Sequence, residues 1–96
     1  MRVNFNRFFV DQKGNPLSVV MADEIGKALF FLGASGKTPV SAEDKYRAYK
    51  LCNRISSAEA EIDLTAEEAA YILRICGETL SAGAYGQIRD IVENNQ

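Results

Sequence analysis

At 96 residues and 10.6 kDa, with 47% hydrophobic and 25% charged residues, the chain has the make-up of one globular domain (1–96), not of a disordered or collagen-like polymer. It contains no histidine, which removes the commonest general base and metal ligand, and no apolar run exceeds five residues, far short of the ~18 of a membrane span. A net charge of −2 and a pI near 5.1 exclude the strongly basic balance of a dedicated nucleic-acid binder.

The first twenty residues read as a β-hairpin. Val3, Phe5 and Phe9 share one face of a period-2 strand, on which Arg7 is the anomaly and signals a bulge. Asp11-Gln12-Lys13-Gly14 supplies the turn, and Leu17 to Val20 a short return strand. Phe8 and Val10 fall on the other face, so either both faces are covered or an aromatic is exposed.

Met21, Ile25, Ala28, Leu29 and Leu32 then recur at helical spacing, with Gly33 as the stop. The following Ser35-Gly36-Lys37-Thr38-Pro39 contains a Gly-Lys-Thr triplet. A phosphate-binding loop needs a glycine four residues before its Gly-Lys pair, after a strand and before a helix. Here that position is no glycine, a helix precedes and Pro39 follows, so the segment reads as a plain loop. Ser41, with Asp44 three residues on, caps a second helix whose apolar face is Ala48, Leu51, Cys52 and Ile55. Arg47, Lys50 and Arg54 form a basic stripe on its opposite side, bordered by Tyr46 and Tyr49.

Residues 61–64 alternate as a short third strand. Thr65 and Glu68 form a capping box that starts a third helix, with Ala69, Ile72, Leu73, Cys76 and Leu80 inward and Tyr71 and Ile75 at the edges. Ser81 caps a last helix carrying Tyr85, Ile88, Ile91 and Val92, where Gly83 and Gly86 would permit close helix packing. Gly77, inside the third helix, implies that another backbone approaches. The expected fold is therefore α+β: an N-terminal hairpin on about four short helices, with a possible third strand. The expected core is Phe5, Phe9, Ile25, Leu29, Leu32, Ala48, Leu51, Ile55, Leu64, Ile72, Leu73, Cys76, Leu80, Ile88 and Val92.

No catalytic constellation emerges. Cys52 and Cys76 both fall on apolar helix faces and read as buried free thiols, in keeping with a reducing, cytoplasmic setting. Two thiols without histidine do not make a zinc site, and the paired carboxylates are explained by capping and solvation. Neither a metal nor a cofactor is expected, and no enzyme. Charge is divided along the chain. Residues 1–54 hold nine Lys/Arg against five Asp/Glu, whereas residues 55–96 hold two against eight. That division suits self-association or a charged partner.

The segments Val3-Asn4-Phe5 through Asp11 and Gly14-Asn15-Pro16, Ile25-Gly26-Lys27-Ala28-Leu29 and Lys45-Tyr46-Arg47-Ala48-Tyr49-Lys50-Leu51 resemble small proteins encoded in tailed-phage and prophage genomes. Glu61-Ile62-Asp63-Leu64-Thr65-Ala66-Glu67-Glu68, with Ala84-Tyr85-Gly86-Gln87-Ile88 and Val92-Glu93, extends the resemblance over most of the chain. It implies an origin and a setting inside a host cell, and carries no catalytic residue with it. The function expected is a protein-interaction module: an assembly accessory, a host-protein-binding factor, or a homodimer. The alternative is a nucleic-acid-binding regulator using the Arg47–Lys50–Arg54 face. Phe30 and Phe31 are the key to the first. Either the C-terminal helix folds over Phe31, around Tyr85 and Ile88, or the two aromatics stay exposed beside the basic stripe as a binding patch. No membrane contact is expected.

Overall fold

The N-terminal alternation makes two strands instead of one. In the computed structural model, which describes residues 1–37 and 39–94, β1 (Arg2–Asn4) and β2 (Phe8–Val10) are separated by a turn. Val3, Phe5 and Phe9 are all buried, as their spacing predicts, but the break lets Arg7 out into solvent. Its cause lies in the backbone. Helix α1 (Met21–Phe30) starts after Val20 with no side-chain cap. Its first amides donate to the turn instead, Met21 N to Arg7 O at 2.8 Å and Ala22 N to Phe5 O at 2.9 Å. Helix starts leave four amides without an internal partner, and the broken strand satisfies two of them.

The hairpin itself is present. β2 pairs antiparallel with β3 (Pro16–Val20), Phe8 opposite Val20 and Val10 opposite Pro16, with a bulge between them. Its turn is held by the Asp11 carboxylate, which accepts from Lys13 N and Asn15 N, and by Gly14 at φ 86°. Phe8 remains exposed. The third strand, β4 (Glu61–Asp63), does not extend this hairpin. It pairs with β1, Val3 opposite Ile62, giving two separate two-stranded sheets.

The helices follow the expected caps. Ser41 Oγ accepts from Asp44 N at 3.1 Å to start α2 (Ala42–Ser57), and Thr65 with Glu68 forms the full reciprocal box at α3 (Ala66–Thr79). Ser81 Oγ accepts from Ala84 N ahead of α4 (Ala82–Asn94). One core unites Phe5, Phe9, Ile25, Leu29, Ala48, Leu51, Ile55, Leu64, Ile72, Cys76, Ile88 and Val92, joined by Val3 and Met21.

Three expectations need correction. Leu32, Leu73 and Leu80 are only half-buried, while Tyr71 and Ile75 are fully inside. Helix α3 is rotated toward the start of α2, where the Tyr71 hydroxyl donates to Asp44 O at 3.2 Å. Second, what Gly77 meets first is the Tyr85 ring, 3.2 Å from where a Cβ would stand, and not another backbone. Third, Gly83 and Gly86 open onto free space and make no close helix contact. Helix α4 packs on α3 and β1, and its Gln87 amide accepts from Val10 N of β2 and donates to Val10 O, 2.9 and 3.0 Å. It therefore does not reach Phe31.

Gly86 is thus in a helix interior with nothing within 4 Å of an added methyl. Gly86→Ala should stabilise the fold by up to ~1 kcal/mol and raise Tm by about 4–8 °C. A calorimetric Tm that falls instead would mean this face of α4 is covered.

Candidate interaction surface

Helix α1 buries Met21, Ile25, Gly26, Ala28 and Leu29. At 100° per residue that leaves a strip running from Glu24 through Lys27 to Phe31, with Phe30 beside it, on the outer side. The strip ends where the chain turns at Gly33, φ 86°. Phe30 and Phe31 are 59% and 61% exposed and rest on each other edge to face, ring centroids 5.1 Å apart. Beneath them is a shallow hollow lined by Asp23, Gly26, Lys27, Cys52 and Ser56. Gly26 keeps the approach close, since a Cβ there would stand 3.3 Å from Ser56 Oγ and push that side chain aside by a few tenths of an ångström. Of the two arrangements open to Phe31, the exposed one is realised. Leaving a phenylalanine in water forfeits roughly 1.5–3 kcal/mol of burial.

Tyr46 and Tyr49 continue this exposed aromatic character onto α2, stacked at 6.3 Å and 27°. Tyr49 shares the flank of Lys45 and Cys52, the side of α2 that α1 packs against. The basic stripe lies elsewhere. The Arg47 guanidinium sits 4.4 Å from the centre of the Tyr71 ring, and Arg54 donates to the Glu68 carboxylate and to Asp63 O. Both arginines therefore serve the seam between α2 and α3, while Lys50 lies over Tyr46 at 5.8 Å. The structure does not bring Phe30 and Phe31 together with Arg47 and Arg54 on one face.

A second apolar surface has no counterpart in the sequence reading. Phe9, Leu17 and Val19 of the hairpin face Leu80 and Ala84 at the α3–α4 corner across a groove of about 750 Å³. Leu17 and Val19 are 42% and 39% exposed. The only charged residues lining this groove are Asp11 and Glu24, both acidic. The short alternating return strand was the one sequence signal for it, and which face stays open depends on where α4 packs.

Cys52 and Cys76 are buried and unbonded to each other. Burial pushes the Cys76 thiol up to about 12, so it stays protonated and inert at neutral pH. Cys52 Sγ donates to Gly26 O at 3.4 Å. Among the described residues no three His, Cys, Asp or Glu side chains are grouped to hold a metal ion, and no helix is long and apolar enough to cross a membrane. Thr38, of the Gly-Lys-Thr triplet, lies outside the described residues.

Comparison with protein-family models, with curated proteins and with solved structures returns no match.

Two measurements follow from this geometry. The Glu68 carboxyl is held below its ordinary value of 4.5, chiefly by the Thr65 amide; burial opposes this next, and hydrogen bonding and charge from Arg54 lower it further. Its stabilising contribution is present above 4.5 and is lost as pH falls through the lower folded value. Thermal melts should therefore lose stability on acidification below about pH 4.5, and Glu68→Gln should flatten that slope; an unchanged slope would remove Glu68 from this role. Separately, thiol titration should count two in the denatured, unreduced protein and react slowly at Cys76 in the native one. A count below two would mean a disulfide.

Proposed function

We propose that the chain is a non-enzymatic protein-interaction module of phage or prophage origin, an assembly accessory or a factor that binds a host protein. The observation that carries this reading is the exposed Phe30–Phe31 pair, with a second exposed aromatic pair, Tyr46 and Tyr49, on α2. Aromatics dominate the energetics of protein interfaces, and isolated domains seldom leave so many together in water. The phage origin rests on the sequence resemblance and is checked by the gene neighbourhood, where flanking virion or prophage genes are expected. A host-cytoplasmic setting accords with two free buried thiols.

The nucleic-acid alternative draws less support. Arg54 is engaged by Glu68 and Asp63, and Arg47 by Tyr71, so the stripe offers phosphates few uncommitted cations. A phosphate-binding surface would weaken with salt at a log–log slope near −0.9 per phosphate neutralised. An aromatic protein interface would respond weakly.

The test is capture from host lysate with mass-spectrometric identification, using the wild type and the double variant Phe30→Ser/Phe31→Ser. The wild type should retain a specific protein that the variant loses, while the variant's stability stays at or above the wild-type value. Equal capture by both would overturn the reading. So would binding of nucleic acid with a steep salt slope.

A further inference from the structure

The outer strip of α1 is self-complementary under a two-fold axis. Glu24, Lys27 and Phe31 lie on one face at spacings of three and four. Glu24 also lines the apolar groove of Phe9, Leu17, Val19 and Leu80, so groove and aromatic knob are the two ends of one strip. They are seven residues, about 10 Å of helix, apart. Two copies of α1 laid antiparallel about a point between residues 25 and 26 bring Glu24 opposite the partner's Lys27. The same register carries Phe31 to the partner's Val20, the chain neighbour of the groove-lining Val19.

We propose that this face forms a closed two-fold homodimer, each copy placing Phe31 in the other's hairpin groove and pairing Glu24 with the partner's Lys27. The proposal rests on the interaction reading given above and names a second copy of this chain as the occupant. Charge complementarity favours it: the groove is lined by acidic charges alone, Asp11 and Glu24, and the residue one turn before the knob is Lys27. Within one copy Lys27 and Glu24 lie only at the 4.0 Å limit of contact, and Lys27 is 68% exposed, so it has reach for a partner. Closure also follows from the geometry. Because knob and groove are adjacent on one face, two exchanges satisfy both copies and leave no open end for a filament.

Exposed area sets the strength. Phe30, Phe31, Leu17 and Val19 together leave roughly 300–400 Å² of side chain in water on each copy, taking ~150–250 Å² for a whole aromatic. A standard interface uses about 800 Å² per partner. The patch falls in the small-interface class typical of weak, transient contacts, so association is expected in roughly the micromolar range or weaker.

Sedimentation velocity of the full chain, from about 5 to 500 μM, tests this at a range that spans the expected constant. The wild type should shift from monomer to dimer, and Phe31→Ser should stay monomeric with an intact circular-dichroism melt. Glu24→Lys and Lys27→Glu should each weaken dimerisation about tenfold by setting like charges face to face twice. An equimolar mixture of those two variants should dimerise better than either alone, because each faces its opposite in the mixed pair. A wild type that is monomeric at the highest concentration overturns the dimer and leaves heterologous capture standing. A wild-type dimer that survives Phe31→Ser, or a mixture no better than its components, overturns this register. If Phe31→Ser alters neither self-association nor lysate capture, the interaction reading itself fails.

Discussion

The packing of α1 is the constraint from which the remaining features descend. This ten-residue helix is the hub of the core: α2 packs on one side of it, with Cys52 and Ser56 against Gly26, and α3 packs on another. Gly26 lets α2 close to contact distance, and the carbonyls of Phe5 and Arg7 supply what its N-terminus lacks. Those carbonyls are available only because the first strand breaks. The split of the N-terminal sheet and the start of α1 are thus one event, with β1 then free to pair with β4.

The same constraint explains the exposed aromatics. A helix covered on two sides still presents an outer arc, and α4 does not close it. It goes elsewhere, because Gln87 pairs with both backbone groups of Val10 and Ile88 and Val92 sink into the core near β1. Phe30 and Phe31 remain outside for that reason. The groove beside Leu17 and Val19 has the same origin, since the α3–α4 corner stops short of filling it.

Charge is spent differently from what a linear count suggests. The basic excess of residues 1–54 does not form one free face. Arg54 ties α2 to the β4–α3 junction through Glu68 and Asp63, and two arginines, Arg47 and Arg74, lie over the Tyr71 ring at 4.4 and 5.3 Å. Among the described residues, Arg2 and Arg54 of the positive half pair with Asp63 and Glu68 of the negative half. Tyr71 is the residue that organises this seam. It is buried, anchored to Asp44 O, and draws α3 round so that Ile75 goes in and Leu73 comes out.

Most of the local chemistry was legible in the sequence. The caps at Ser41, Thr65 and Ser81, the Asp11–Gly14 turn, the stop at Gly33 and the inward faces of α1 and α2 each depend on residues within four positions of one another. The mixed class and most of the core followed from periodicity alone. What tertiary structure decided was every question of coverage: which strand β1 would pair with, which edge of α3 would be buried, and whether anything would lie over Phe31. A helical stripe is broad enough to tolerate a rotation of some tens of degrees, and an aromatic at its margin carries the same pattern whether a distant helix covers it or water does. Periodicity records which side of an element is apolar; only the packing of elements far apart in the chain determines how much of that side is used.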